Sequence, residues 1–265
     1  MTAINRREAL KAAAGLTVGA AVSGCAAAAP NASTNLSFAA PPLVSVAIVG
    51  SDQRFPIRRI YCVGRNYAAH SREMGSDPTR EPPFFFQKPT DAVQVVNPGT
   101  VGDHPYPTRT KNYHYECELV AFLHKGGKSV PAAQALDLVF GYTVGLDMTR
   151  RDLQQQMGNE KKPWEIGKSF DRAAPMSHIH PASLVGHLTE GAIWLKVNGV
   201  VKQNSNLSNM IWSVAEQIAH LSEFYELMPG DIIYSGTPEN VGPVVPGDVM
   251  VCGIDKLGEL QVRVV

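Results

Sequence analysis

A chain of 265 residues, 44% of them hydrophobic, is long enough to bury one sizeable core. Its 24 basic and 24 acidic residues balance, and the body of the chain has no run rich in lysine or arginine, which argues against nucleic-acid binding. The body also lacks an apolar stretch of about 20 residues that could span a membrane, and the four cysteines form no C-x-x-C pair of the kind found in zinc ribbons.

The first 25 residues resemble an export signal. A pair of arginines, Arg6 and Arg7, precedes the uncharged run AAAGLTVGAAVSG, as in a twin-arginine signal. The segment VSGC resembles a lipoprotein cleavage box, with Cys25 as the lipidated residue. Residues 26–42 are rich in Ala, Asn, Ser and Pro and are predicted to form a disordered tether, which leaves residues 43–265 as one folded domain. We expect a periplasmic or membrane-anchored lipoprotein if this signal is used, and a cytoplasmic protein otherwise.

The body is predicted to be β-rich with a few helices. Regular alternation of strands and helices is missing, which argues against a doubly wound parallel sheet and favours an α+β class. Taken in chain order, the predicted elements are strands over 43–49 and 58–64, a helix over 65–75, a surface loop over 76–83, strands over 83–89, 111–123 and 137–147, a short helix capped by the T-R-R-D sequence that starts at Thr149, a hairpin with an Asn-Gly turn over 191–203, a helix over 211–227, and short C-terminal strands.

Two glutamates lie two positions apart in the strand candidate KNYHYECELV. Side chains at i and i+2 point to the same face of a strand, so Glu116 and Glu118 share a face with His114, while Cys117 points to the other side. Two buried carboxylates without a partner would take up a proton, whereas a divalent cation would stabilise both. The spacing alone leaves two alternatives open, a metal site and an exposed face with two solvated acids.

A third carboxylate, Asp147, ends the apolar strand VFGYTVGLD. An acid at a strand end is common both in functional sites and in turns. If the three acids meet, their oxygen ligands suit Mg²⁺ or Mn²⁺, with Ca²⁺ as a further candidate. The three histidines at 178, 180 and 187 lie in a proline-containing, loop-like stretch and are interpreted as surface residues rather than ligands.

Seven segments occur in one order that resembles the fumarylacetoacetate hydrolase family. They are CVGRNYAAHSREMG, PFFFQKP, YHYECELV, GLDMTRRDLQ, GKSFD, IWLKVNG and SGTPENVG, and the resemblance runs from about residue 55 to the C-terminus. The branch with the greatest resemblance acts on fumarylpyruvate and other acylpyruvates. The resemblance implies a mixed β-sandwich roll with flanking helices, usually assembled as a homodimer.

The same resemblance implies roles for particular residues. Three acids would be the metal ligands, a His–Glu pair would activate water, a lysine would stabilise negative charge, and five further side chains would bind substrate. In that order these residues are Glu116, Glu118 and Asp147; His70 and Glu73; Lys168; and Arg65, Lys88, Arg151, Gln154 and Thr237.

The implied reaction is metal-dependent hydrolysis of a carbon–carbon bond in a 2,4-diketo acid, with fumarylpyruvate giving fumarate and pyruvate. The far carboxylate of that substrate needs a cation, and the sequence does not choose among Arg65, Arg72 and Lys88. One alternative keeps the site but decarboxylates oxaloacetate or cleaves acylpyruvates generally. Another class of function is an exported lipoprotein that binds keto acids through the metal without turnover.

Overall fold

The computed structural model of the protein describes residues 36–75 and 81–265. The predicted export segment with Cys25, the first part of the predicted tether and residues 76–80 of the predicted loop lie outside the described residues. Residues 36–41 are exposed and contain neither helix nor strand. Pro42–Val265 forms one compact unit, and among the described residues no helix has the length and apolar character needed to cross a bilayer.

Strands dominate the described chain. The strands are β1 (Ser45–Ala47), β2 (Arg54–Pro56), β3 (Ile60–Gly64), β4 (Phe84–Lys88), β5 (Val93–Val95), β6 (Val101–His104), β7 (Tyr113–Tyr115), β8 (Cys117–Leu123), β9 (Val139–Leu146), β10 (Thr149–Arg150), β11 (Ala174–Met176), β12 (His180–Pro181), β13 (Ala192–Val197), β14 (Val200–Asn206), β15 (Ile232–Tyr234), β16 (Gly242–Val244), β17 (Val249–Ile254) and β18 (Gly258–Val264). The α-helices are α1 (Ala68–Glu73), α2 (Ala132–Ala135), α3 (Arg151–Asn159), α4 (Glu165–Lys168), α5 (Ala182–Val185) and α6 (Val214–Phe224).

Two large mixed sheets form the body. One has the strand order β4-β3-β15-β8-β9-β11-β5 with β12 paired to β9, and the other has the order β14-β13-β17-β18-β6. Strands β13, β17 and β18 of the second sheet pack on β8 and β9 of the first. Side chains from both sheets, among them Leu119, Val144 and Leu195, are fully buried between them. This arrangement confirms the predicted β-rich α+β sandwich roll with flanking helices.

The predicted hairpin and the long C-terminal helix are present. Asn198 and Gly199 join β13 to β14 with φ values of 50° and 80°, as a type I′ turn requires. Helix α6 starts at a capping box in which the Ser213 hydroxyl accepts from Glu216 N–H and the Glu216 carboxylate accepts from Ser213 N–H.

The strand predicted over 111–123 is divided into two. Strand β7 pairs with β10 and β16 in a small third sheet, whereas β8 belongs to the large sheet. Glu116 lies at the junction between them. The chain therefore changes sheets at the first of the two glutamates, a feature that alternation along the sequence does not reveal.

The predicted capping box at Thr149 is wrong. Thr149 lies in β10 opposite His114, so its backbone is extended and hydrogen bonded in a sheet. Helix α3 begins at Arg151 without a side-chain cap. The Asp152 carboxylate instead accepts hydrogen bonds from the Thr110 hydroxyl and Lys111 N–H, 2.5 and 2.8 Å away.

Candidate active site

Antiparallel pairing of β8 with β9 brings the three predicted acids together. Cys117 lies opposite Leu146 and Glu118 opposite Gly145, so Asp147 is the next residue opposite Glu116. The Asp147 N–H donates to the Glu116 carbonyl over 2.8 Å and extends the ladder past the end of β9. Because directly opposed residues share a face, the ladder places all three carboxylates on one side of the sheet.

The three acids form a compact, buried group. Oxygen atoms of Glu116, Glu118 and Asp147 lie within 4.8 Å of one another. Their relative exposures of 4%, 1% and 1% show that water does not solvate them freely. The predicted cluster therefore exists, and the alternative of an exposed strand face is excluded.

Three buried cations surround the acids. Lys168 Nζ donates to Glu116 Oε2 over 2.7 Å and to Asp147 Oδ2 over 2.8 Å. Arg151 donates to Glu116 Oε1, and Lys88 Nζ lies 2.8 Å from Asp147 Oδ1, although that oxygen accepts no hydrogen bond from a described residue. The Lys88 ammonium also donates to the carbonyls of Met148 and Lys168, and it forms a buried ion pair with Asp147.

Charge and burial act differently on the two glutamates. Burial alone would raise the pKa of Glu116, but the positive charges of Lys168 and Arg151 outweigh it and hold this pKa well below its usual range. Burial raises the pKa of Glu118 well above its usual value, and the neighbouring charges of Asp147 and Glu116 raise it further. Among the described residues no lysine or arginine forms an ion pair with Glu118, and its Oε2 accepts only from Gly236 N–H, over 2.7 Å.

This imbalance fits a divalent cation. A buried carboxylate that faces two like charges without its own cation is costly as an anion. A hard cation between Glu118, Glu116 and Asp147 would stabilise the ionised form of all three, and carboxylate oxygens are the donors that Mg²⁺, Mn²⁺ and Ca²⁺ prefer. The donor set is therefore compatible with the predicted metal.

The predicted His–Glu pair is formed on α1. His70 Nδ1 lies 3.0 Å from Glu73 Oε2, one helical turn away. Glu73 is also held by Asn240 N–H, which lies 3.1 Å from each carboxylate oxygen. His70 is 5% exposed and lines the same cavity as the three acids. The carboxylate thus fixes the imidazole with Nδ1 toward Glu73.

A cavity of about 350 Å³ opens above the acids. Arg151 and Gln154 lie on its α3 side, where Arg151 Nη1 donates to Gln154 Oε1 over 2.6 Å. Lys88, whose ammonium lies against Asp147, is not among the described lining residues. The cavity is also lined by Arg65, Phe84, Phe86, Trp164, Lys168 and Thr237.

Thr237 has a fixed hydroxyl. Thr237 Oγ1 donates to the Cys117 carbonyl over 2.9 Å and accepts from Gln203 Nε2 over 3.0 Å. The prediction assigned carboxylate binding to both the hydroxyl and the backbone N–H. The Thr237 hydroxyl proton is directed to the Cys117 carbonyl. The Thr237 backbone N–H has no acceptor among the described residues, so it is the donor that remains available for a carboxylate.

Gln203 was missed by the sequence reasoning. It is fully buried on β14; its Oε1 accepts from Cys117 N–H over 3.0 Å, and its Nε2 also donates to the Pro238 carbonyl over 2.8 Å. It therefore ties the backbone between the two glutamates to the Thr237 loop.

The aromatic lining residues Phe84 and Trp164 were also missed as site residues. No periodicity in the sequence distinguishes Phe84, Trp164 or Gln203 from ordinary strand and loop positions.

The histidines interpreted as surface residues stay apart from the acids. His187 is exposed, and His178 and His180 are half-buried. His187 Nδ1 lies 2.9 Å from the Tyr142 hydroxyl, and His178 Nε2 lies 3.0 Å from the Asn97 side-chain oxygen. None of the three belongs to the described group of potential metal ligands.

Known proteins resemble this chain in sequence and fold. Residues 59–265 match the C-terminal domain of fumarylacetoacetate (FAA) hydrolase. A fumarylpyruvate hydrolase from Ralstonia sp is 45% identical over 188 residues, 71% of this chain and 95% of the relative. A mitochondrial oxaloacetate decarboxylase of Dictyostelium discoideum is 38% identical over 200 residues, 76% of this chain and 90% of the relative.

A solved structure extends the comparison. The crystal structure of fumarylpyruvate hydrolase from Pseudomonas aeruginosa, in complex with Mn²⁺ and pyruvate, superposes with a TM-score of 0.86 at 58% identity and covers 87% of this chain and 99% of its own. The shared domain and these identities show that the chain belongs to the fumarylacetoacetate hydrolase family.

Proposed function

We propose that the protein is a hydrolase, dependent on Mg²⁺ or Mn²⁺, that cleaves the carbon–carbon bond of a 2,4-diketo acid. Fumarylpyruvate is the proposed substrate, and fumarate and pyruvate are the products. The observation that carries the proposal is one cavity lined both by the three carboxylates and by His70, which Glu73 orients. The 58% identity to a fumarylpyruvate hydrolase that binds Mn²⁺ and pyruvate supports both the substrate and the metal.

Glu116, Glu118 and Asp147 would hold the ion. A divalent cation bound there supplies Lewis acidity to the keto-acid end of the substrate. Lys168 contributes a second positive charge from a buried position, where electrostatic stabilisation is stronger than in water. Burial would lower the pKa of Lys168, but Asp147 and Glu116 raise it, so the ammonium stays charged. The Thr237 N–H would bind the substrate carboxylate.

His70 is the proposed general base. With Nδ1–H donating to Glu73, its Nε2 accepts the proton of a water molecule, which adds to the distal keto carbon. The bond between that carbon and the adjacent methylene then breaks. Its electron pair goes to the pyruvyl fragment, which takes up the proton held by His70 to become pyruvate, while the distal fragment leaves as a carboxylic acid.

An assay of the metal-loaded protein tests this proposal. Fumarylpyruvate, acetylpyruvate and oxaloacetate are offered in parallel, and pyruvate, fumarate and carbon dioxide are measured. The proposal requires stoichiometric fumarate and pyruvate from fumarylpyruvate, and loss of this turnover after chelation with recovery on adding Mg²⁺ or Mn²⁺. Turnover that persists unchanged in metal-free protein would contradict it.

Decarboxylation of oxaloacetate is the second candidate, supported by the 38% identity to an oxaloacetate decarboxylase. It would use the same carboxylate group but no attacking water. Replacement of His70 therefore separates the two functions, since hydrolysis needs a base that activates water and decarboxylation does not.

Export and dimer formation remain proposals from the sequence. The Arg6-Arg7 pair and the box that ends at Cys25 support export, and the family resemblance supports a homodimer. Fractionation of cells that express the full chain, with a Cys25→Ser control for lipidation, tests the first. Light scattering of the purified protein tests the second.

A further inference from the structure

Besides the acids, the cavity is lined by Arg65, Phe84 and Trp164, of which Arg65 and Phe84 are exposed, and we call this outer part the mouth of the cavity. None of these residues has a role in the proposed chemical steps. The keto-acid end of a substrate accounts for the inner part of the cavity only. The outer part must therefore face the acyl fragment that is released.

An aromatic wall forms one side of this outer part. The Phe84 and Trp164 rings are 5.7 Å apart at 48°, and Trp164 meets Phe86 edge-on at 6.1 Å. The Phe84 ring lies directly over Gly64, where an added Cβ would be 2.0 Å from the ring. The absence of a side chain at Gly64 thus lets the ring lie at the mouth, where Phe84 remains 37% exposed.

Arg65 supplies the positive charge at the same place. It follows β3 with φ at 55°, a left-handed conformation that is uncommon for a residue other than glycine. Its guanidinium lies 5.7 Å from the centre of the Phe84 ring. Among the described residues it has no carboxylate partner, in contrast to the lining cations Arg151 and Lys168, which are paired with the acids.

The structure thereby separates candidates that the sequence left equivalent. The Lys88 ammonium is buried against Asp147. Arg72 is exposed on α1 and is not among the described residues that line the cavity. Among the residues that the structure describes, Arg65 is the one of these three candidates that lines the cavity and has no carboxylate partner.

We propose that Arg65, Phe84 and Trp164 form a distal subsite for a planar, unsaturated acyl chain that ends in a carboxylate. The inference rests on the proposed hydrolase function and names its substrate class as dicarboxylic 2,4-diketo acids. The guanidinium fork matches a carboxylate in two parallel hydrogen bonds. The aromatic faces pack on the conjugated carbons that connect this carboxylate to the reacting ketone. Arg65 and Phe84 are specificity-determining residues in this scheme.

The test compares Arg65→Gln with the wild-type holoenzyme on two substrates. Fumarylpyruvate has a distal carboxylate and acetylpyruvate has none. Loss of a charge-assisted pair predicts a fall in kcat/KM for fumarylpyruvate of about tenfold to a hundredfold, mainly through KM, with acetylpyruvate changed less than about twofold. Arg65→Lys, which keeps the charge but not the fork, should restore part of the loss.

A second variant examines the aromatic wall. Phe84→Leu should lower kcat/KM for fumarylpyruvate relative to its saturated analogue succinylpyruvate by about threefold to tenfold. The distal subsite is refuted if Arg65→Gln affects both of its substrates equally or neither, or if Phe84→Leu leaves the ratio unchanged. If the wild-type enzyme cleaves none of these diketo acids, the proposed function fails, and this inference fails with it. The two failures are thus distinguishable.

Discussion

Replacement of Gln203 by Met tests whether one buried amide holds the site together. The substitution keeps the length of the side chain but removes its acceptor for Cys117 N–H and its donor to the Pro238 carbonyl. Both backbone groups would then be left without a partner next to a side chain that is fully buried. Each unsatisfied buried group costs about 1 to 3 kcal/mol, so we expect the free energy of unfolding to fall by about 2 to 6 kcal/mol.

The same substitution should weaken metal binding. Cys117 lies between two of the proposed ligands, and its N–H is fixed by the Gln203 oxygen. Outer contacts that orient ligands typically change metal affinity by about tenfold to a hundredfold. Urea unfolding of the metal-free protein measures the stability change, and calorimetric titration with Mn²⁺ measures the affinity.

Asn204 provides a matched control. It is the next residue on β14 and is exposed. Asn204→Met should change the free energy of unfolding by no more than about 0.5 kcal/mol and leave the Mn²⁺ affinity unchanged. If Gln203→Met proved as stable as this control and bound Mn²⁺ as tightly as wild type, the positioning role of Gln203 would be refuted.

Three further predictions concern the acids, the base and a distant histidine. Glu116→Ala and Asp147→Ala should each abolish Mn²⁺ binding by calorimetry and turnover of fumarylpyruvate, and retention of either would contradict the ligand assignment. His70→Ala should bind Mn²⁺ normally yet lose about 100-fold or more in kcat for hydrolysis, and normal turnover would show that another group activates the water. Burial lowers the pKa of His104 to about 4, so above pH 6.5 the ring is neutral in both the folded and the unfolded state. Below pH 6.5 only the unfolded chain takes up the proton, and about 3 kcal/mol of stability should be lost as the pH falls from 6.5 to 4. His104→Phe should unfold with a shallower dependence on pH over that range, and an unchanged slope would refute the contribution of His104.

Local patterns in the sequence predicted the parts of the site that depend on neighbouring residues. The period of a strand placed Glu116 and Glu118 on one face, and the helical spacing placed His70 next to Glu73. The position of Asp147 opposite Glu116 depends on how β8 pairs with β9, which the sequence does not specify. For that residue the family resemblance, rather than the spacing, indicated the partner.

The remaining errors and omissions come from long-range pairing. Thr149 has a helix-capping sequence around it, but pairing with β7 takes its backbone into a sheet. Gln203 is 86 residues from Cys117, and nothing around it in the sequence indicates a buried amide. Lys88 forms a buried ion pair with Asp147, a contact that the residues around it in the sequence do not indicate. In each case tertiary contacts determine the role of a residue that is locally unremarkable.

The cations explain how the chain can fold around three buried acids before any metal binds. The three acids are matched in number by three cations, Lys88, Arg151 and Lys168, so this group of six side chains is formally neutral. All of the ion pairs go to Glu116 and Asp147, and among the described residues Glu118 has none. Replacing any of the cations by a neutral residue would leave buried negative charge uncompensated. A divalent ion would add two positive charges to this neutral cluster, and a dicarboxylic diketo acid carries two negative charges. The arrangement therefore favours entry of the metal before the substrate, because the metal adds two positive charges to the cavity and so strengthens its attraction for the dianion.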